Sequence, residues 1–270
     1  MDVTQALKDA ENGLRDFINF ILQKKLGLNW EEKSGVTKER LEKWQERKLA
    51  EEKRQESGAV EQRLIYYADF YDLKTILKKN WEGPFSETFG NLNTLEVWLT
   101  ELEKLRDPDA HRRELLPHQQ ALAIGISGEI RTRITRYRSK QETNESYFPR
   151  IESVSDNLGN TWTPNINAWF KTGRTLRPGE FLSFVITATD PQGNELKYGL
   201  SMPDNEFHWQ DKNTFSFTVN SNYIGSDAIF ELYVKSPRNY HAHHGFEDYD
   251  DMIKFIYDIL PPLSTRSQNS

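Results

Sequence analysis

The sequence predicts two domains of different class: an all-α bundle over residues 1–140 and an all-β sandwich with a terminal helix over residues 149–262, joined by a linker at 141–148 and followed by a disordered tail at 263–270. Three observations predict this. Apolar residues recur at helical spacing through the first half. Past the polar stretch Ser139–Ser146 the period changes to alternation, with turn residues between the alternating runs. A length of 270 residues accommodates two ordinary domains.

In the first half, Val3–Leu26 reads as an amphipathic helix through Leu7, Leu14, Phe17, Ile18, Ile21 and Leu22, ended by Gly27. Thr37 to about Glu56 reads as a solvated, salt-bridged arm, with alternating Glu and Lys/Arg and only Leu41, Trp44 and Leu49 as large apolar residues. Val60–Trp81 is apolar around most of its surface and is expected to be the buried centre of the bundle. Within it, Asp69 and Asp72 share one face, placed either to hold Arg106 or His111 in position or to face water. Gly83-Pro84 breaks the chain, and Leu92, Leu95, Trp98, Leu99, Leu102 and Leu105 line the next helix. After Pro117 the last helix spans Ala121–Tyr137. Its end carries Arg131, Arg133, Arg136, Arg138 and Lys140, which either complement the helix dipole or bind phosphate.

Composition narrows the function classes. The chain has no cysteine, so thiolate chemistry and disulfides are excluded. No apolar run is long enough to span a bilayer, and Met1-Asp2-Val3-Thr4 lacks the basic and apolar regions of a signal peptide, so a cytoplasmic protein without membrane contact is expected. The net charge of −6 is no nucleic-acid signature, and any grip on RNA must come from local basic clusters.

Chemistry concentrates at Leu105-Arg106-Asp107-Pro108-Asp109-Ala110-His111. Asp107 suits a helix cap, Pro108 the first helical position and Asp109 the first turn, so Arg106 is expected to close one helix and His111 to open the next. A fixed cation and a titratable imidazole near one bend suit phosphoryl chemistry. The Arg-x4-His spacing occurs three times, but Arg113/His118 is interrupted by Pro117, and Arg238/His243 follows the breaker Pro237. By spacing alone, an ion-pair cluster of Arg106 and His111 with Asp107 and Asp109 stands beside the catalytic reading.

The order Asn12-Gly13-Leu14-Arg15-Asp16-Phe17-Ile18, Tyr67-Ala68-Asp69-Phe70-Tyr71-Asp72-Leu73, Asn80-Trp81 and Leu105–Arg112 resembles the HEPN superfamily, nearest the branch found in a transcript quality-control endonuclease and in bacterial defence proteins. The resemblance covers residues 1–140. It implies an all-α bundle that dimerises, setting two Arg-x4-His motifs side by side, and a metal-independent endoribonuclease without a cofactor. His111 would act as general acid/base in attack of the ribose 2′-hydroxyl on the adjacent phosphate. Arg106 would steady the phosphorane, and the products would be a 2′,3′-cyclic phosphate and a 5′-hydroxyl. Asp107, Asp69 and Asp72 would support the pair, and Arg112, Arg113, Arg131 and Arg138 would contact RNA. A toxin or defence effector follows, with a non-catalytic dimerisation adaptor as the alternative, since many HEPN domains are inactive.

In the second half, Glu180–Thr189, Leu196–Ser201, Thr214–Val219 and Ala228–Lys235 read as strands, with Trp162, Trp169 and Trp209 as core. The stretch Ala188–Tyr198 is similar to the hairpin of immunoglobulin-like and cadherin-like modules, which implies a sandwich that binds a protein partner or sensor ligand. Asp190 reads as a turn cap, because no second acidic cluster is placed to complete a calcium site. His241, His243 and His244 invite a metal, but no fourth ligand is recognisable and no metal site is assigned. Asp248–Leu260 reads as a terminal helix through Met252, Phe255, Ile256 and Ile259.

Overall fold

The computed structural model describes residues 2–54, 60–110, 115–164, 166–245 and 247–263, with the backbone alone at 107–110. Of the tail expected to be disordered over 263–270, residues 264–270 lie outside the described residues. The chain forms two compact units, one helical within residues 1–148 and one of β structure drawing on residues 149–188 and 194–263.

Among the described residues, six α-helices make the helical unit: α1 Val3–Leu26, α2 Lys38–Arg54, α3 Phe70–Lys79, α4 Pro84–Phe89, α5 Leu92–Ala110 and α6 Pro117–Thr143. Asp2 caps α1 by accepting from the Thr4 amide, and Gly27 ends it at φ 89°, a conformation costly for other residues. Helix α1 packs along α6 and buries Leu14, Phe17, Ile18 and Leu22. Phe17 meets Phe85, Phe89 and Tyr137 edge-on, so α4 is drawn onto the same core.

The segment expected to be one helix over Val60–Trp81 is divided. A 3₁₀ turn at Leu64–Tyr67 precedes α3, and Ala68 and Asp69 between them are extended. Asp69 and Asp72 compete with a continuing helix, since the Asp72 carboxylate accepts the Asp69 amide at 3.1 Å and makes this point a helix start. The same carboxylate accepts Arg40 Nε and Nη2 at 2.7 and 2.8 Å and the Trp44 indole N–H at 2.8 Å. Asp69 takes Arg40 at 2.9 Å and Arg47 at 2.8 Å, and the Arg47 hydrogen bond holds its carboxyl below the ordinary aspartate value. These contacts overturn two expectations. Helix α2 is docked rather than a free arm, with Trp44 fully buried, and Asp72, 1% exposed, faces neither water nor Arg106.

Two further helix boundaries differ. The seam Leu95, Leu99, Leu102 and Leu105 is buried throughout, and it carries α5 past Asp107-Pro108 to Ala110, so no helix starts at that cap signal. Pro108 lies in the last turn, where its missing N–H leaves only the Lys104 carbonyl without its helical donor. Helix α6 begins at Pro117, four residues before the expected start, and reaches Thr143.

The β unit contains β1 Arg150–Asp156, β2 Thr161–Trp162, β3 Trp169–Leu176, β4 Phe181–Thr189, β5 Lys197–Ser201, β6 Phe207–Gln210, β7 Thr214–Thr218, β8 Gly225–Lys235 and β9 Asp251–Ile259. One sheet has the order β2-β1-β4-β7, the other β3-β9-β8-β5-β6, with β3 parallel to β9. The sheets share one core in which Phe184 of the first meets Phe230 and Phe255 of the second. The expected terminal helix is instead β9, hydrogen-bonded between β3 and β8. Met252, Phe255, Ile256 and Ile259 fit a helical period, but Ile253, Phe255, Tyr257 and Ile259 fit alternation equally well. These latter four are the side chains buried in the core. A strand with apolar residues on both faces defeats a periodicity test.

Of the three tryptophans expected in the core, only Trp162 is buried. Trp169 on edge strand β3 is 56% exposed with Lys254 Nζ over its ring at 4.3 Å. Trp209 lies over Gly199, where an added Cβ would sit 2.9 Å from the indole, so the ring covers a bare site on the outer face of the sheet. Asp190 accepts the Gln192 amide at 3.0 Å within its turn.

The buried Asp72 carboxylate makes α2 docking testable. In urea unfolding, Asp72→Ala is expected to lower stability by about 3 kcal/mol or more, because Arg40 and the Trp44 N–H lose their acceptor. Glu39→Ala, which removes an exposed pair with Lys43, is expected to change it by less than about 0.5 kcal/mol.

Candidate active site

Helix α5 delivers Arg106 to the rim of the helical unit, its side chain 53% exposed. Two contacts fix the guanidinium. Nη1 donates to Glu11 Oε1 on α1 at 3.0 Å, and Cζ lies 5.7 Å from the centroid of the Phe70 ring at the start of α3. Glu11 is buried, and the same oxygen takes Arg15 Nη2 at 2.6 Å. Arg15 is itself buried and donates to the Ala68 carbonyl at 2.9 Å. Burial pulls the Arg15 pKa down against the opposing pull of Glu11, and its Nε has no hydrogen-bond partner among the described residues. Two cations thus share one carboxylate oxygen, and the cation that reaches solvent is Arg106.

One residue along α1, Asp16 accepts Arg63 Nη1 at 2.6 Å and the Tyr66 hydroxyl at 2.8 Å. Burial outweighs both partners and pushes the Asp16 carboxyl up to about 6. The Tyr66 hydroxyl is pushed well up by burial and by Asp16.

The residues singled out by sequence distribute unevenly around this centre. His111, Arg112 and Arg113 lie outside the described residues, and of Asp107 only the helical backbone is described. Asp69 and Asp72 belong to the α2–α3 clamp. Arg131 is 13% exposed and lies 3.8 Å from Asp9, while Arg138 is 10% exposed and lies 3.3 Å from Glu142, so neither presents an open cation to solvent. Of the five basic residues near the end of α6, Arg136 and Lys140 are the exposed ones. They line a groove of about 480 Å³ with Arg133, Tyr137, Glu87 and Glu129. Arg133 is engaged by Glu129 and the Phe89 carbonyl, both at 2.6 Å, and lies over Trp98. The groove therefore carries mixed charge.

In the β unit, the three histidines take separate partners. His241 Nδ1 lies 3.2 Å from the fully buried Asp250, His243 stacks on Tyr249, and His244 lies 2.9 Å from Asp248. Among the described residues, no three His, Asp or Glu side chains are grouped to hold a metal ion.

Sequence reasoning did not assign Glu11 or Arg15 to the site. The available signal was a pair of opposite charges at i, i+4 on the largely apolar inner face of α1.

Residues 5–124, which run from α1 into the first turns of α6, match the family model of the Swt1-like HEPN domain. The helical region is a HEPN domain. The match stops short of the β unit. No curated protein and no solved structure matches the chain.

Asp16 gives the HEPN domain a defined pH dependence. Its carboxyl binds a proton more tightly folded, at about 6, than at the ordinary aspartate value of 3.8. The stability tied to that proton is complete below pH ~4 and is lost as pH rises through ~6. Compared by denaturant unfolding at pH ~4 and ~6.5, the Asp16→Asn protein is expected to lack a fall in stability on the order of 3 kcal/mol that the wild type shows.

Proposed function

We propose that this protein is a metal-independent endoribonuclease of the HEPN type, a toxin or defence effector that cuts RNA as a homodimer. His111 acts as general acid/base on the ribose 2′-hydroxyl, and Arg106 neutralises the charge that develops on the non-bridging phosphate oxygens. Cleavage leaves a 2′,3′-cyclic phosphate and a 5′-hydroxyl. Arg112 and Arg113, which adjoin His111, and the exposed cations of α6 are the candidates for holding the RNA backbone. The helical domain supplies the dimer, and the β unit is the arm that meets a protein partner or sensor ligand.

One observation carries this reading. Arg106 is half-exposed, five residues before His111, and its guanidinium is aimed by the buried Glu11 and by Phe70 rather than left to sample solvent. A pre-aimed guanidinium spends less entropy on a phosphate than a free surface arginine. Glu11 is thus a positioning residue in this scheme. The adaptor reading keeps one point in its favour, since Glu11 already offsets part of the Arg106 charge.

Purified full-length protein incubated with single-stranded RNA in EDTA is expected to cut it. His111→Ala is expected to lose about 10²–10⁴-fold in rate, and Arg106→Ala about 10²–10³-fold, with unchanged melting temperatures. Cutting by the His111→Ala protein at the wild-type rate would move the active centre elsewhere. A wild type that binds RNA and leaves it intact would favour the adaptor.

A further inference from the structure

A strand at the edge of a sheet offers unpaired N–H and C=O groups to any second strand, and proteins guard such edges with shortness, charge, proline or bulges. Among the described residues the two sheets have four edge strands, β2, β7, β3 and β6. Three are guarded. β2 has two residues, β6 has four and lies between Glu206 and Asp211, and β3 carries Lys171 and Arg174 with a register shift between Lys171 and Thr175.

Strand β7 has none of these devices. It reads Thr214-Phe215-Ser216-Phe217-Thr218, and no charged residue or proline occurs between Lys212 and Asp227. Its pairing with β4 runs through Leu182↔Phe217 and Phe184↔Phe215. The flanking bonds Ile186 N to Asn213 O and Val219 N to Glu180 O fix the alternation of the ladder. Residues 213, 215, 217 and 219 therefore bond inward to β4, and the N–H and C=O groups of Thr214, Ser216 and Thr218 point to the open edge. All three residues are exposed, and among the described residues only the Thr214 carbonyl is taken, by Gln210 Nε2 at 2.7 Å.

The five residues are also a palindrome about Ser216. We infer that β7 is a self-pairing edge, joined antiparallel to β7 of a second copy about a two-fold axis through Ser216. This register sets Ser216 opposite itself and Thr214 opposite the second copy's Thr218 on the solvent face. On the core face it sets Phe215 opposite the second copy's Phe217, a side chain that is half-buried in the single chain. An isologous contact needs this self-complementarity, and an uncharged edge is where two chains of net charge −6 meet with least repulsion. The new ladder has about six backbone hydrogen bonds, two of which share the Thr214 carbonyls with Gln210. Its area falls well short of the ~1,600 Å² of a standard interface, so the pairing is weak by itself and acts with other contacts between copies. The inference stands apart from the nuclease reading and needs no catalytic residue.

The test uses the full chain, whose lack of cysteine makes an introduced thiol unique. Paired Ser216 Cα atoms would lie ~5.5 Å apart, within disulfide range. Under mild oxidation, Ser216→Cys is expected to give covalent dimer at least ten-fold faster than Thr161→Cys, a control on the opposite edge of the same sheet. In the wild type, amide exchange at Ser216 and Thr218 is expected to slow as protein concentration rises. Ser216→Pro, which removes an outward N–H and no bond to β4, should abolish that concentration dependence at Thr218 while keeping the melting temperature. Equal crosslinking rates for the two cysteine variants, or exchange at Ser216 and Thr218 that ignores concentration, would overturn the inference.

Discussion

One buried carboxylate sets the geometry of the helical domain's rim. Glu11 holds Arg15 from its own helix and Arg106 from α5, and Arg15 passes the connection to the Ala68 carbonyl ahead of α3. Helices α1 and α5 thus meet at one oxygen, and Arg15 links that point to the segment ahead of α3. Two guanidinium groups against one carboxylate leave a surplus positive charge, and burial of Arg15 confines that surplus to Arg106. Burying a charge is tolerated only when it is paired and hydrogen-bonded. The arrangement therefore ties the aim of the exposed arginine to the integrity of the core beneath it.

The same logic runs along the whole inner face of α1. Its buried polar residues each reach a different part of the domain. Glu11 reaches α5, Asp16 reaches Arg63 and Tyr66, and Asn19 accepts the indole N–H of Trp30 at 2.9 Å. The apolar residues between them provide the burial, and these polar residues specify which segments dock and in which order. Asp72 does the equivalent for α2. The β unit is organised differently, by aromatic packing of Phe184, Phe230 and Phe255 between its sheets, with polar locks such as Tyr257 to Asp156 at 2.6 Å closing the margin.

Much of this was legible in the sequence. The limits of α1 followed from its apolar stripe and Gly27, and the change of period near residue 140 marked the passage from helices to strands. Strands β4, β5, β7 and β8 announced themselves by alternation and turn residues. Other features were illegible for identifiable reasons. The apolar run through Leu64–Leu73 hid its break because the local signal, Asp69 and Asp72 three residues apart, sits inside a continuous apolar period, and the Arg40 and Trp44 bonds that hold Asp72 there are long-range. Strand β9 mimicked a helix because both of its faces are apolar. Pro108 looked like a helix start because a proline early in a new helix and one late in an old helix read alike. Arg106 was singled out as a candidate by its spacing to His111, but Glu11 and Arg15 were not, since long-range ion pairs leave no periodic trace. The basic run on α6 promised a continuous stripe, yet Arg131 and Arg138 turn toward Asp9 and Glu142.

In the proposed nuclease reaction, Glu11 acts on RNA cleavage through Arg106 and not merely through the fold. A double-mutant cycle measured by single-turnover RNA cleavage tests it most directly. Glu11→Gln is expected to slow cleavage by about ten-fold or more in the wild-type background and to change nothing further when Arg106 is already alanine. An equal loss from Glu11→Gln in both backgrounds would contradict the account, because it would show that the carboxylate serves the fold independently of the arginine it holds.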